Sequence, residues 1–244
     1  MKSLLVLQHL DRESPGFFST LAKEFSLNLR ICRVDLNDSF PSINEINGLL
    51  VLGGPMGLAD LDNHRYSWLA SEIQFIEKAL LSEIPLIGVC LGAQLLAYVA
   101  GGSVETLTCE HSGVQYPEVG WAPITPLEQL NNEPVLRNFK SPLNVLHWHS
   151  DRIVLPESAT LIASSDRCKE QMFRIGPASY GLQFHAELEG EMMNRWIVED
   201  IDFVSRSLGD EGKSLLLRQQ KIWEKKTQLR RENLLRDLFH ALLS

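Results

Sequence analysis

Two short stretches of this sequence carry side chains that could do covalent chemistry together. The first is Pro85-Leu86-Ile87-Gly88-Val89-Cys90-Leu91-Gly92-Ala93-Gln94-Leu95-Leu96-Ala97. Residues 85–89 form a short apolar run, suited to a strand buried on both faces. Residues 93–100 favour a helix, which Gly101-Gly102 ends. Cys90 therefore stands where a buried strand turns sharply into a helix, with a glycine two residues to either side. That is the arrangement of a nucleophile elbow with Cys in place of Ser. Such a turn brings the thiol into the open, and a helix N-terminus stabilises the anionic, reactive form of a thiol. A cysteine in a glycine-flanked turn can equally be buried and inert. A thiol nucleophile also needs a base, and the base needs an orienter. Tyr180-Gly181-Leu182-Gln183-Phe184-His185-Ala186-Glu187 offers both. Two residues apart on an extended segment, His185 and Glu187 point the same way. Glu187 can then hold His185 while His185 faces Cys90.

Gly-Val-Cys-Leu-Gly-Ala-Gln at 88–94, with Gly-Leu-Gln-Phe-His-Ala-Glu at 181–187, resembles the class I (triad) glutamine amidotransferases. Within them the chain is similar to the stand-alone group that resembles the amidotransferase domain of GMP synthase. The resemblance spans about residues 1–200 and departs at Ala186, where the family usually has Pro; neither functional side chain is altered by that change. It implies Cys90, His185 and Glu187 as the catalytic triad. Gly53-Gly54-Pro55-Met56-Gly57 by itself is an ordinary turn. Beside the elbow, the resemblance makes the backbone amides of Gly54 and Leu91 the oxyanion hole. It also makes Gln94 a contact to bound glutamine, with Trp148, His149 and Asp151 further substrate-pocket candidates.

His147-Trp148-His149-Ser150-Asp151 invites a metal reading, since His147 and His149 would share a strand face and Asp151 could join them. No further His or Cys lies at a typical ligand spacing, and thiol hydrolysis needs no metal. The expectation is no metal and no cofactor.

These residues must be positioned by a folded α/β body. With 44% hydrophobic and 22% charged residues, the 244-residue chain has the composition of a soluble globular protein with one substantial domain. A net charge of −8 argues against nucleic acid as a partner. The four cysteines (32, 90, 109 and 168) have neither metal-type spacing nor a disulfide framework, so a reducing, cytoplasmic setting is expected. No signal peptide and no stretch long enough to span a membrane is legible. Strands are predicted at 3–8, 28–34 and 48–52, and helices at 17–25 and 66–81. The second helix is expected to point Glu72, Glu77 and Lys78 outward, with Trp68 as a core anchor. Strands at 103–107, 119–124, 145–148, 160–163 and 171–175 read as hairpins added to one side of the sheet. A helix over 188–208, with Met192, Trp196 and Val198 on its apolar side, precedes a break at 209–212. An amphipathic stripe over 213–244, interrupted near 228–233, is expected to pack on its own domain. The fold class is α/β: a doubly wound, mostly parallel sheet with an antiparallel addition and C-terminal helices, which the resemblance names class I amidotransferase-like (flavodoxin-like). The amidotransferase domain is placed at 1–200 and a helical extension at 201–244.

The expected chemistry is attack by Cys90 on the side-chain carbonyl of glutamine or a γ-glutamyl compound, followed by hydrolysis of a γ-glutamyl thioester. Residues 188–244 are too few for an ATP-using synthetase domain, and no phosphate-binding glycine-rich loop with its Lys is present. Three readings stay open. The chain could be a glutaminase that feeds a separate synthetase subunit. It could be a self-sufficient γ-glutamyl peptide or amine hydrolase. It could be a non-catalytic binding module, which the Cys, His and Glu speak against.

Overall fold

The computed structural model describes residues 2–109, 111–128, 130 and 133–243; Glu110, where the polar stretch 110–120 begins, lies outside them. In chain order the elements are β1 (Ser3–Gln8), α1 (Phe17–Glu24), β2 (Asn28–Arg33), β3 (Gly48–Val51), α2 (Leu69–Leu81), β4 (Leu86–Val89) and α3 (Leu91–Val99). There follow β5 (Ser103–Thr106), β6 (Glu118–Pro126), β7 (Leu143–His149), β8 (Asp151–Val154), β9 (Ala159–Ser164), β10 (Met172–Ile175) and β11 (Ser179–Leu182). The chain closes with α4 (Met192–Glu199), α5 (Ile201–Leu208) and α6 (Gly212–Leu243).

Nine strands form one sheet in the order β2-β1-β3-β4-β11-β10-β9-β6-β7. The five from β2 to β11 are mutually parallel, and the remaining four continue antiparallel. The sequence reading of a parallel body with an antiparallel addition therefore holds. One pairing was not legible: β5 and β8 form a separate two-stranded sheet. The central strands β1, β3, β4 and β11 are buried throughout, as a sheet covered on both faces requires. On one face α1 and the end of α6 pack through Phe18, Leu21, Leu235, Leu238 and Phe239. On the other face α2 and α3 pack through Leu69, Ile76, Leu95 and Leu96. A third cluster joins α4 and α5 to the antiparallel strands through Trp121, Trp148, Trp196 and Val204.

Three expectations are corrected. Glu72 does not point outward: it is fully buried, one helical turn from both Leu69 and Ile76 on the packed face of α2. The helix expected over 188–208 is two helices that meet at Asp200, and Val198 is 64% exposed rather than part of the apolar side. The last helix runs from Gly212 to Leu243 without a break at 228–233. Leu216, Leu234, Leu235, Leu238, Phe239 and Leu242 of its stripe are buried.

The register of the two central strands sets up the site. Gly181 lies opposite Gly88 and Leu182 opposite Val89 in the parallel pair β4–β11, and the Cys90 amide extends the ladder to the Leu182 carbonyl at 2.7 Å. Both strands therefore end at the same edge, the carboxyl edge where such sheets bind ligands.

Candidate active site

Cys90 has φ 51° and ψ −104°, a left-handed conformation uncommon outside glycine. It is where strand β4 becomes helix α3 in a single residue. The flanking glycines are required sterically. A Cβ on Gly88 would run into the Gly92 carbonyl, and one on Gly92 into the Val51 carbonyl. Strain of this kind costs about 1–3 kcal/mol and is held in place by surrounding structure. Here it aims the thiol along the sheet edge. The Cys90 Sγ lies 3.9 Å from the Trp148 carbonyl, to which it donates, and the Gln183 side-chain amide donates to it at 3.7 Å.

His185 follows the end of β11 and is gripped on both sides. Its Nδ1 lies 2.7 Å from Glu187 Oε1, and its backbone exchanges hydrogen bonds with Leu146 of β7 at 2.8 and 3.3 Å. The ring stands edge-on to Trp196 at 4.7 Å between centroids, and the Cys90 thiol acts on it electrostatically. Burial alone would push the imidazole pKa down. The Glu187 charge and the hydrogen bonds to Cys90 and Glu187 outweigh it and hold the imidazolium well above its ordinary value. Among the described residues, the amides of Gly54 and Leu91 donate to no backbone carbonyl. Gly54, Cys90 and His185 line one cavity of about 230 Å³.

A thiol and a carboxylate-held imidazole at one sheet edge, beside amides with no backbone acceptor, are the kinds of group that acyl transfer uses. Residues 17–201 match the family described as Glutamine amidotransferase class-I. This chain belongs to that family. A glutamine amidotransferase-like protein, YfeJ of Salmonella typhimurium, is 31% identical over 185 residues, 75% of this chain and 74% of that one. One subunit of the glutamine-hydrolysing GMP synthase of Saccharolobus solfataricus is 34% identical over 109 residues, covering 44% of this chain and 53% of its own. Gamma-glutamyl peptidase 3 of Arabidopsis thaliana is 25% identical over 205 residues, covering 78% and 77%. The crystal structure of a glutamine amidotransferase from Thermotoga maritima superposes with a TM-score of 0.84 at 29% identity, over 100% of this chain and 99% of that one.

In this amidotransferase the same cavity gathers most of the residues singled out in the sequence. Gln94, Trp148, His149 and Asp151 line it with Cys90, His185 and Gly54. Glu187 stands behind His185 rather than on the wall, and Leu91 contributes the first amide of α3. Their side chains differ in what they can do. The Trp148 indole turns away, donating to Asp200 at 3.0 Å, so it is the Trp148 carbonyl that meets the thiol. Gln94 is buried, its amide 3.5 Å from the Gln183 side-chain oxygen. His149 Nδ1 lies 2.9 Å from the Asp151 carbonyl, while its Nε2 lies 3.1 Å from Glu118 without a hydrogen-bond partner among the described residues. The Asp151 carboxylate has no hydrogen-bond partner among the described residues and is half-buried; burial pushes its pKa up.

The acid that joins the two histidines is thus Glu118, not Asp151. Glu118, His147 and His149 bring their donor atoms within 4.8 Å of one another. Each Glu118 oxygen already accepts from a neighbour, Ser165 at 2.6 Å and Gln171 at 2.5 Å. Burial works against the charge, but His149, His147 and Ser165 hold the Glu118 carboxyl at about 2. Burial takes His147 the other way, down to about 4. Glu118 ties the cluster to Ser165 and Gln171, while the nitrogens that face it, His147 Nδ1 and His149 Nε2, have no hydrogen-bond partner among the described residues.

Several residues at the site were missed in the sequence. Glu13 lines the cavity beside His185, and burial pushes its pKa up. Arg12 pairs with Asp200 at 2.9 Å, while the Trp196 indole donates to the Arg12 carbonyl at 2.9 Å. Arg231 of α6 donates to the carbonyls of Ala186 and Leu188 at 2.8 and 3.4 Å, clamping the segment that bears Glu187. His9 and Glu72 form a fully buried pair at 2.7 Å. Only Glu72 had a signal: its three- and four-residue spacing from Leu69 and Ile76 put it on the apolar face of its helix.

Proposed function

We propose that this amidotransferase releases ammonia from the side-chain amide of glutamine by thiol catalysis. The observation that carries the reading is the junction of Cys90, at a strained strand-to-helix turn, with the buried His185–Glu187 pair at the same sheet edge. The Cys90 sulfur bonds to the amide carbon. The resulting oxyanion is met by the amides of Gly54 and Leu91. As the C–N bond breaks, the imidazolium of His185 gives its proton to the leaving nitrogen, and a γ-glutamyl thioester remains. Water, deprotonated by His185, then attacks the thioester and returns the thiol. No step calls for a metal or a cofactor. Gln94 and Asp151 contact the glutamyl portion, with the free Asp151 carboxylate suited to an ammonium group. Trp148 and His149 shape the wall.

On this reading residues 1–200 are the amidotransferase domain and 201–244 an extension packed on it, which still lends Phe203 and Arg206 to the cavity. The likeness to one subunit of GMP synthase supports delivery of ammonia to a separate synthetase subunit. The likeness to a γ-glutamyl peptidase supports a second reading, in which the leaving group is the amine of a γ-glutamyl peptide. Neither nucleic acid nor membrane is a partner in either, and cysteines outside any disulfide among the described residues suit the cytoplasm. Among the described residues no helix is long and apolar enough to cross a membrane.

The test is release of glutamate and ammonia from glutamine by the purified chain and by Cys90→Ala, with a γ-glutamyl dipeptide in parallel. Glutamine turnover that disappears in the variant is the expected result. Turnover of the dipeptide alone gives the peptidase reading. Equal activity in both proteins removes Cys90 from the mechanism.

A further inference from the structure

Every amide in an oxyanion hole has to be aimed, and a glycine turn does not aim itself. Gly53 and Gly54 sit in a loop between β3 and α2, without side chains to fix their torsions. What fixes the peptide between them comes from elsewhere in the chain. His9, just past the end of β1, places Nδ1 2.8 Å from the Gly53 carbonyl oxygen and Nε2 2.7 Å from Glu72 Oε1. The ring is fully buried and stacks on Trp68 at 5.4 Å, and Glu72 reaches it from the packed face of α2.

A trans peptide holds its C=O and N–H antiparallel in one plane. Whatever grips the Gly53 oxygen therefore sets the direction of the Gly54 N–H, which points the opposite way. Gly54 lines the catalytic cavity, and its amide has no backbone acceptor among the described residues. We propose that the His9–Glu72 pair is a positioning device for the oxyanion hole: it pulls on the Gly53 carbonyl and so turns the Gly54 amide toward the oxygen of the amide under attack. The inference rests on the reading of Cys90 as an acylated nucleophile.

The pair is built for that task. A carbonyl oxygen can only accept, so Nδ1 must carry a proton, and Glu72 at Nε2 keeps the ring from presenting a lone pair there. Burial disfavours the charged ring, but Glu72 and the Gly53 carbonyl outweigh it and raise its pKa. A buried ion pair returns little net stability against apolar side chains of the same volume, so stability is a poor reason for this one. A fixed hydrogen bond to a flexible glycine peptide is what it supplies.

Two reactions of the same thiol separate this role from general support of the fold. Acylation of Cys90 by p-nitrophenyl acetate passes through an oxyanion; alkylation by iodoacetamide does not. Their rate ratio, corrected with Cys90→Ala, reports on the oxyanion hole and does not require glutamine to be the substrate. His9→Gln carries its amide to about the Nε2 position, toward Glu72, and leaves the Gly53 carbonyl ungripped. The ratio is expected to fall on the order of 10²-fold, the usual cost of one oxyanion donor. His9→Asn with Glu72→Gln puts an N–H near the Nδ1 position and buries no unpaired carboxylate. It is expected to keep the ratio within about tenfold of the unsubstituted protein. An unchanged ratio in His9→Gln overturns the proposal, as does a parallel loss of both reactions in both variants, which would make the pair a support of the fold alone. Absence of glutamine turnover in the unsubstituted protein, with the ratios behaving as described, would count against the substrate and not against His9.

Discussion

Glu187 does two things to His185: it fixes the ring through Nδ1 and it keeps the proton on it. Both follow from a 2.7 Å contact between groups that are 2% and 5% exposed. In the proposed mechanism acylation needs the imidazolium as the acid, so turnover should fail on the basic side as that proton is lost. Glu187→Gln removes the charge while leaving a group of the same shape. We expect kcat to fall about 10²-fold or more and the basic limb of the kcat/KM–pH profile to move to lower pH. An unmoved limb would show that Glu187 does not set the titration of His185. The sign carries over to stability. The pKa of His185 is raised by folding, so its contribution is fully present below the unfolded value of about 6.5. That contribution is lost as pH rises through the folded value. Urea midpoints above neutrality should therefore fall more steeply for the unsubstituted protein than for His185→Gln.

Helix α6 contributes to the fold and to the site by different residues. Near its far end, Leu238 and Phe239 fill the core beneath α1. In its middle, Arg231 is 2% exposed and donates to the carbonyls on either side of Glu187. Losing that guanidinium leaves buried carbonyls unpaired, at about 1–3 kcal/mol each, and frees the segment that orients His185. Leu238→Ala should instead cost about 2–5 kcal/mol as a core truncation. We expect Arg231→Met to lower both Tm and kcat, and Leu238→Ala to lower Tm while leaving kcat within about twofold below its melt. Equal kcat losses in the two variants would mean that α6 acts on the site only through global stability. Why the sequence shows the helix but not its role is a matter of range. The apolar stripe of α6 is local and periodic, whereas the two carbonyls that Arg231 holds beside Glu187 lie more than forty positions away in the chain. A charged run marks such a residue as surface by default.

At the scale of the molecule, what could be read in advance was what the chain encodes locally. The apolar run at Ser3–Gln8, the run entering Cys90 and the glycines around it define β1, β4 and the elbow within a few residues of where they lie. Two motifs far apart in the chain meet because parallel β4 and β11 end in register; the sequence points to that meeting through the chemistry of a thiol and its base and through the family resemblance, not through the strand pairing. What escaped depends on contacts between layers. Glu72 was assigned to solvent because it is charged, although its spacing set it among buried residues; its partner His9 lies 63 positions away. The bend at Asp200 has no glycine or proline to announce it. Asp200 holds Arg12 and Trp148, so the helix pair is shaped by the site it covers.

In the proposed mechanism, thiol, imidazolium and oxyanion hole serve one covalent intermediate. Acid-quenching the protein during turnover of glutamine and weighing its peptides tests for it most directly. A γ-glutamyl group is expected on the peptide that carries Cys90, lost on incubation at neutral pH and absent from Cys90→Ala. More of the adduct is expected in any variant that slows deacylation more than acylation. Glutamate release with no adduct on that peptide, or with an adduct on Cys32, Cys109 or Cys168, would contradict thiol catalysis by Cys90.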